Sequence, residues 1–232
     1  MKHERNVGWG EIGLDFHYDN SPRDIQKAVL IRQIKCAIEL GKPLTIHTRE
    51  ADEDIYEILT THIHIHCFTD SVELAEKLLA YFPNLYIGIT GVITYATNLN
   101  TAQVIRNLIK AGPNPIDPTR SPLRIVLETD APYMTPANFT KTQQTALGLK
   151  TNARIPLCHS GMIPWIAEFV ATVANQAVAE QVIQEVELAA ANTSAPATGS
   201  EQADDAMKNK MKWTAEEVMR VARENAKAMY GI

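Results

Sequence analysis

The sequence predicts an α/β fold in which consecutive βα units build a parallel sheet. Three observations carry the prediction. Five short apolar runs alternate with stretches of helical period, the pattern of βαβ units. Two of those runs, Ile12-Gly13-Leu14 and Arg124-Ile125-Val126-Leu127, are nearly continuous, as a sheet covered on both faces requires. The length, 232 residues, allows a βα barrel with little to spare, since a complete eight-unit barrel takes about 250.

The elements follow in order. Residues 10–16 read as the first strand. A helix start comes next, with Ser21 as N-cap, Pro22 at the first helical position and Asp24 three residues after Ser21. This helix carries Ile25, Ala28, Val29, Ile34 and Ile38 and stops at Gly41, with Pro43 just beyond. Residues 43–47 form a strand, and 51–59 a helix with Ile55, Ile58 and Leu59 on one face. Residues 63–67 form a strand, 72–79 a helix capped by Asp70 and Ser71, 85–89 a strand, 102–109 a helix, and 123–127 the fifth strand. Past Asp130 the strand signal fades. Residues 163–188 look helical, and about 189–212, rich in Ala, Ser, Thr and acids without apolar period, read as a flexible insertion. Thr214 and Glu217 make a capping box for a last helix ending before Gly231.

Composition narrows the function. The net charge of −5 argues against a basic coat for non-specific nucleic-acid binding, while leaving room for a local phosphate site. Three cysteines, Cys36, Cys67 and Cys158, share no ligand spacing. A disulfide framework or zinc ribbon is not expected, and a reducing compartment is. The first residues lack an apolar core, so no secretory signal is read. The apolar stretch 165–179 is interrupted by Glu168, Asn175 and Gln176, which reads as too polar to span a bilayer. The expected location is cytoplasmic or nuclear.

The residues of chemical interest fall at strand ends. Glu11 begins the first strand and Asp15 ends it; His47 ends the second, His66 the third, and Asp130 follows the fifth. In parallel α/β folds the C-terminal strand ends make the active site. Carboxylate oxygen and neutral imidazole nitrogen suit zinc, manganese and similar ions. Each residue alone has a bland reading, a solvated edge for Glu11 or a hydrogen-bonded structural imidazole for either histidine; the set is what favours a metal. In His62-Ile63-His64-Ile65-His66, alternation puts all three histidines on one face, about 6–7 Å apart per pair. His66 lies nearest the C-terminal end and is the candidate. His62 and His64 read as loop or polar interior, His17 as loop polar, and His159 as a candidate substrate-side residue.

In sum, six segments resemble the TatD family of metal-dependent hydrolases: Gly10-Glu11-Ile12-Gly13-Leu14-Asp15, Pro43-Leu44-Thr45-Ile46-His47-Thr48-Arg49, His66-Cys67-Phe68-Thr69, Tyr86-Ile87-Gly88-Ile89-Thr90-Gly91, Leu127-Glu128-Thr129-Asp130-Ala131-Pro132-Tyr133, and the closing Asn225 to Gly231. Asp70 stands where the family carries glycine. The resemblance implies a TIM (β/α)8-barrel of the metal-dependent hydrolase type, and divalent-metal-dependent hydrolysis of phosphodiesters, typically as a deoxyribonuclease with DNA as substrate. It implies that Glu11 bridges two metals, that His47 and His66 bind one, and that Asp130 binds the other and activates water. Arg49 is the candidate phosphate contact, with a surface ion pair as the alternative.

One departure shapes the remaining expectations. The family opens with a strand bearing His-x-His, and only ten residues precede Glu11 here. By resemblance the barrel is incomplete, with about the first three βα units missing. At most one tightly bound ion (Mg, Mn or Zn) and impaired catalysis are then expected, with self-association through exposed sheet edges. The alternative is an inactive remnant or interaction protein that keeps part of the fold. A third reading, an amidohydrolase acting on a cyclic amide, would be favoured by a carboxylated lysine at the bridging position; Glu11 stands there instead.

Overall fold

The computed structural model describes residues 3–59, 63–113, 119, 121–139, 144–145, 148, 157–191 and 213–231. Among them the order is β1 (Trp9–Asp15), α1 (Arg23–Glu39), β2 (Leu44–Arg49), α2 (Asp52–Ile58), β3 (Ile63–Ile65), α3 (Val72–Tyr81), β4 (Leu85–Ile89), a 3-10 turn (Gly91–Thr94), α4 (Asn100–Lys110), β5 (Ile125–Leu127), a second 3-10 turn (Ser160–Met162), α5 (Ile163–Ala191) and α6 (Ala215–Tyr230). His62 and residues 192–212 of the expected insertion lie outside the described residues; residues 189–191 continue α5.

The five strands pair in parallel in sequence order, β1-β2-β3-β4-β5. The register aligns Gly13 with His47, Thr45 with His64, His64 with Tyr86, and Gly88 with Val126. Period two then sorts the side chains onto two faces. Ile12, Leu14, Leu44, Ile46, Ile63, Ile65, Leu85, Ile87 and Ile125 are buried in the main core with Leu30, Ile34 and Ala37 of α1, Ile55 of α2, Leu74 and Leu78 of α3 and Ile105 of α4. Each such side chain contributes about 1.5–3 kcal/mol by leaving water. The other face carries Glu11, Gly13, Asp15, Thr45, His47, Arg49, His64, Tyr86, Gly88 and Val126, and so holds the candidate chemistry. Gly13 is required there, because a Cβ would lie 1.8 Å from the His47 carbonyl oxygen.

Several local expectations need correction. In α1 the N-cap position is Pro22, not Ser21, and no side chain caps the helix; the Ser21 carbonyl instead accepts from Gln26 Nε2 at 2.8 Å. Of the apolar residues assigned to α1, Ile25, Val29 and Ile38 are about half exposed. The helix is apolar around much of its circumference, so periodicity alone did not mark the inward stripe of Leu30, Ile34 and Ala37. Elsewhere Ser71 Oγ accepts from Leu74 N, Thr214 from Glu217 N, and Gly231 closes α6 at φ +67°, as read; Asp70 instead accepts from Glu50 N, and the Glu217 carboxylate accepts from Arg220 rather than closing a capping box.

Helix side chains meet the backbone at both ends of the sheet order. The backbone carbonyls of Leu123 and Ile125 accept from Asn225 Nδ2 at 2.7 and 2.8 Å, so α6 covers the β5 edge. On β1, the Asp15 N–H donates to Gln26 Oε1 and its carbonyl accepts from Gln26 Nε2. Helix α5 is, by length and composition, apolar enough to cross a membrane, contrary to the sequence reading. Ile166, Ala167, Val170, Val173, Ala174 and Ala177 are instead buried in the core.

Candidate metal centre at the mouth of the sheet

Strands β1 and β2 and the segments just past β3 and β5 bring Glu11, Asp15, His47, His66 and Asp130 together. Glu11 Oε1 lies 3.2 Å from His47 Nδ1, and Glu11 Oε2 lies 3.8 Å from His66 Nε2. His47 Nε2 faces Asp15 Oδ2 at 3.4 Å, and His66 Nε2 faces Asp130 Oδ1 at 3.4 Å. The backbone is bent to aim these groups. Glu50, Cys67 and Asp130, each at or just beyond the end of a strand, adopt φ of +54°, +44° and +52°, a left-handed conformation unfavourable for non-glycine residues and concentrated at functional sites.

The charges interlock. Glu11 is held below the usual carboxylate range, first by the hydrogen bond from His47, and His47 is raised, first by that same bond. Burial opposes charge on His66, but the hydrogen bond to Glu128 and the charges of Glu128, Glu11 and Asp130 prevail and raise it to about 9. Burial pushes Asp130 up. It also opposes charge on Glu128, yet the facing His64 ring and the hydrogen bond from His66 bring that carboxyl down to about 2. Burial lifts the Cys67 thiol to about 12, which makes it an inert neighbour rather than a nucleophile.

This donor set fits a divalent ion. Among the described residues no three His, Cys, Asp or Glu side chains yet converge as a formed metal site; they face one another in pairs. His66 Nδ1 donates to Glu128 Oε2 at 2.7 Å, the carboxylate–histidine arrangement that leaves the other ring nitrogen for a metal. A neutral His66 so held turns its Nε2 lone pair toward two carboxylates, a repulsion that a cation or a proton between them removes.

The remaining candidates are Arg49 and His159. Arg49 places its guanidinium 4.9 Å from the Tyr18 ring centroid and has no carboxylate partner among the described residues. His159 is exposed and caps the second 3-10 turn, its Nδ1 accepting from Gly161 N. Its neighbour Cys158 donates its backbone N–H to the Pro132 carbonyl, which sets this segment beside the loop after β5. His17 pairs with Glu50 at 2.6 Å, away from the cluster. Sequence reasoning assigned no role to Glu128 or Tyr230 and left His64 as polar interior. Alternation from Val126 would have put Glu128 on the working face.

Residues 1–231 of the chain match the model of the TatD related DNase family. The protein belongs to the TatD DNase family. Over 149 residues it is 40% identical to the 3'-5' RNA nuclease TATDN2 of Homo sapiens, an overlap covering 61% of this chain and 18% of that one. It is 37% identical over 143 residues to the metal-dependent hydrolase YabD of Bacillus subtilis, covering 59% and 51%. It is 32% identical over 140 residues to the 3'-5' ssDNA/RNA exonuclease TatD of Enterobacter lignolyticus, covering 58% and 49%. The matches span about half the length of these bacterial relatives. Among solved structures, the TatD homologue YJJV of Escherichia coli superimposes with a TM-score of 0.57 at 20% identity, over 97% of this chain and 64% of that one. The TatD-family chain therefore carries its five parallel strands in a barrel-type α/β arrangement.

Proposed function

We propose that this TatD-family protein is a divalent-metal-dependent phosphodiesterase acting on nucleic acid, with DNA as its substrate. The observation that carries the reading is the placement of Glu11, which presents one oxygen to His47 and the other to His66, while His66 is fixed from behind by Glu128. Glu11, His47, His66 and Asp130 would hold one ion, with Asp15 beside His47. A bound divalent ion lowers the pKa of coordinated water and offsets charge building on a phosphate. Asp130, whose carboxyl is raised by burial, stands where it can take the proton of an attacking water. The Arg49 fork matches phosphate oxygens in shape and charge, and stacking on Tyr18 keeps it oriented. His159, beside the loop after β5, faces substrate. Three unpaired thiols fit a reducing, intracellular setting.

The test is hydrolysis of end-labelled single-stranded DNA, duplex DNA and RNA by the full chain with Mg²⁺, Mn²⁺ or Zn²⁺, with and without chelator, alongside Glu11→Gln. Cleavage that chelator abolishes, and that Glu11→Gln lowers at least about 100-fold, is expected. Cleavage indifferent to both chelator and Glu11→Gln would overturn the reading. RNA as the preferred substrate would keep the chemistry and change the partner.

A further inference from the structure

Behind the mouth, a line of polar groups runs from the last turn of α6 to His66. Tyr230 Oη lies 3.0 Å from Thr45 Oγ1 and 2.8 Å from His64 Nδ1. His64 is buried, with 5% of its surface exposed. Its Nε2 makes no hydrogen bond of normal length and points at Glu128 Oε2 from 3.5 Å. Glu128 in turn accepts from His66 Nδ1 and from the Cys67 backbone N–H. Space for this meeting comes from Gly88, where a Cβ would lie 2.1 Å from Glu128 Oε1 and 2.6 Å from His64 Nε2.

We propose that Tyr230, His64 and Glu128 form a buried positioning relay that fixes His66 with its proton on Nδ1 and its Nε2 turned to the mouth. The inference rests on the metal-dependent reading for its consequence, but its geometry does not depend on an ion. The direction of the relay follows from charge. A His64 protonated on Nδ1 alone would aim the Nε2 lone pair at a carboxylate. Protonated on Nε2 alone, it aims an N–H there and receives the Tyr230 hydroxyl proton at Nδ1. Thr45 Oγ1 then donates to Tyr230 Oη, and every group in the line has a complementary partner. Glu128, accepting from His66 Nδ1 and the Cys67 amide and faced by the His64 Nε2–H at 3.5 Å, is held in one orientation, and with it the ring plane of His66. Partners of this kind behind a metal-binding histidine are worth about 10- to 100-fold in metal affinity. The apolar seat of Tyr230, made by Tyr86, Val126 and Met229, keeps water from competing for the line.

The experiment uses the full chain labelled with ¹⁵N-histidine. In the metal-free protein, at a pH where His64 is neutral, the expected spectrum shows His64 protonated on Nε2 and His66 bonded through Nδ1–H. Tyr230→Phe, which keeps the ring and removes the hydroxyl, shifts the His64 pattern, whereas Met229→Leu, on the same floor, leaves it unchanged. Calorimetric titration with Zn²⁺ then shows Glu128→Gln weakened by about 10- to 100-fold and Tyr230→Phe by a smaller factor, about 3- to 10-fold, with Met229→Leu at the wild-type value. A wild-type His64 protonated on Nδ1 overturns the relay, as does a Tyr230→Phe protein whose His64 signals and Zn²⁺ affinity match wild type. An expected His64 spectrum in a wild-type protein that binds no divalent ion upholds the relay and overturns the proposed function instead.

Discussion

His64 in β3 and His66 just past its end stand two residues apart, point to the same face, and do different things. His66, at the mouth, faces three carboxylates from two other segments, Glu11 of β1 and Glu128 and Asp130 just past β5. His64, one level down, is 5% exposed and meets Tyr230 and one oxygen of Glu128. Depth along the strand, not residue type, separates them. At the mouth solvent screens the paired charges and leaves them free to rearrange around a ligand. On the floor the low dielectric makes an unmatched polar group costly, so each group there is held in a fixed line. Chemistry is therefore expected at the upper level and rigidity at the lower.

Substitution at the two levels should separate activity from stability. His66→Ala is expected to lower divalent-ion affinity and phosphodiester turnover by at least about 100-fold while, above about pH 9 where the His66 charge is gone, the thermal midpoint of the metal-free protein moves by a few degrees only. His64→Ala is expected to cost about 1–3 kcal/mol of stability by stranding Tyr230 and Glu128, read by urea unfolding, with a smaller effect on affinity. Equal losses of both quantities in both variants would erase the distinction.

Gly88→Ala probes the seam between levels. The added methyl cannot fit without moving Glu128 and His64, so a loss of about 1–3 kcal/mol together with weaker ion binding is expected. A variant of wild-type stability and affinity would mean that the two side chains have room to spare.

A third prediction concerns pH. The folded-state value of His66 is raised, from 6.5 to about 9. Its contribution to stability is therefore fully present below about pH 6.5 and is lost as pH rises through about 9. The thermal midpoint of metal-free protein should fall over that window, and His66→Asn should flatten the fall. Saturating divalent ion should reverse it, because metal binding needs the unprotonated nitrogen.

The smallest effect is expected at Asp70, just ahead of α3. Burial and the nearby Asp52 raise this carboxyl to about 6. Ionised Asp70 thus weakens the fold above that pH and ceases to as pH falls toward the ordinary value of 3.8. Asp70→Asn should raise the thermal midpoint by about 1–2 °C at pH 7 and leave it unchanged near pH 4. A gain independent of pH would assign the effect to something other than the charge.

The sequence by itself determined the alternation of strands and helices, the strand ends that carry Glu11, His47, His66 and Asp130, and the family. Those features are local: apolar period, cap residues such as Ser71 and Thr214, and contiguous motifs. Only the tertiary structure decided which face of α1 turns inward, because that helix is apolar around much of its girth. Only it showed Asn225 covering the β5 edge and Tyr230 reaching His64 across 166 positions of chain. Period two fixes the direction of a side chain along its own strand, but not what another element, packed from far along the sequence, sets against it. The same limit hid Glu128, whose role depends on the two histidines in and just past β3 that meet it across β4.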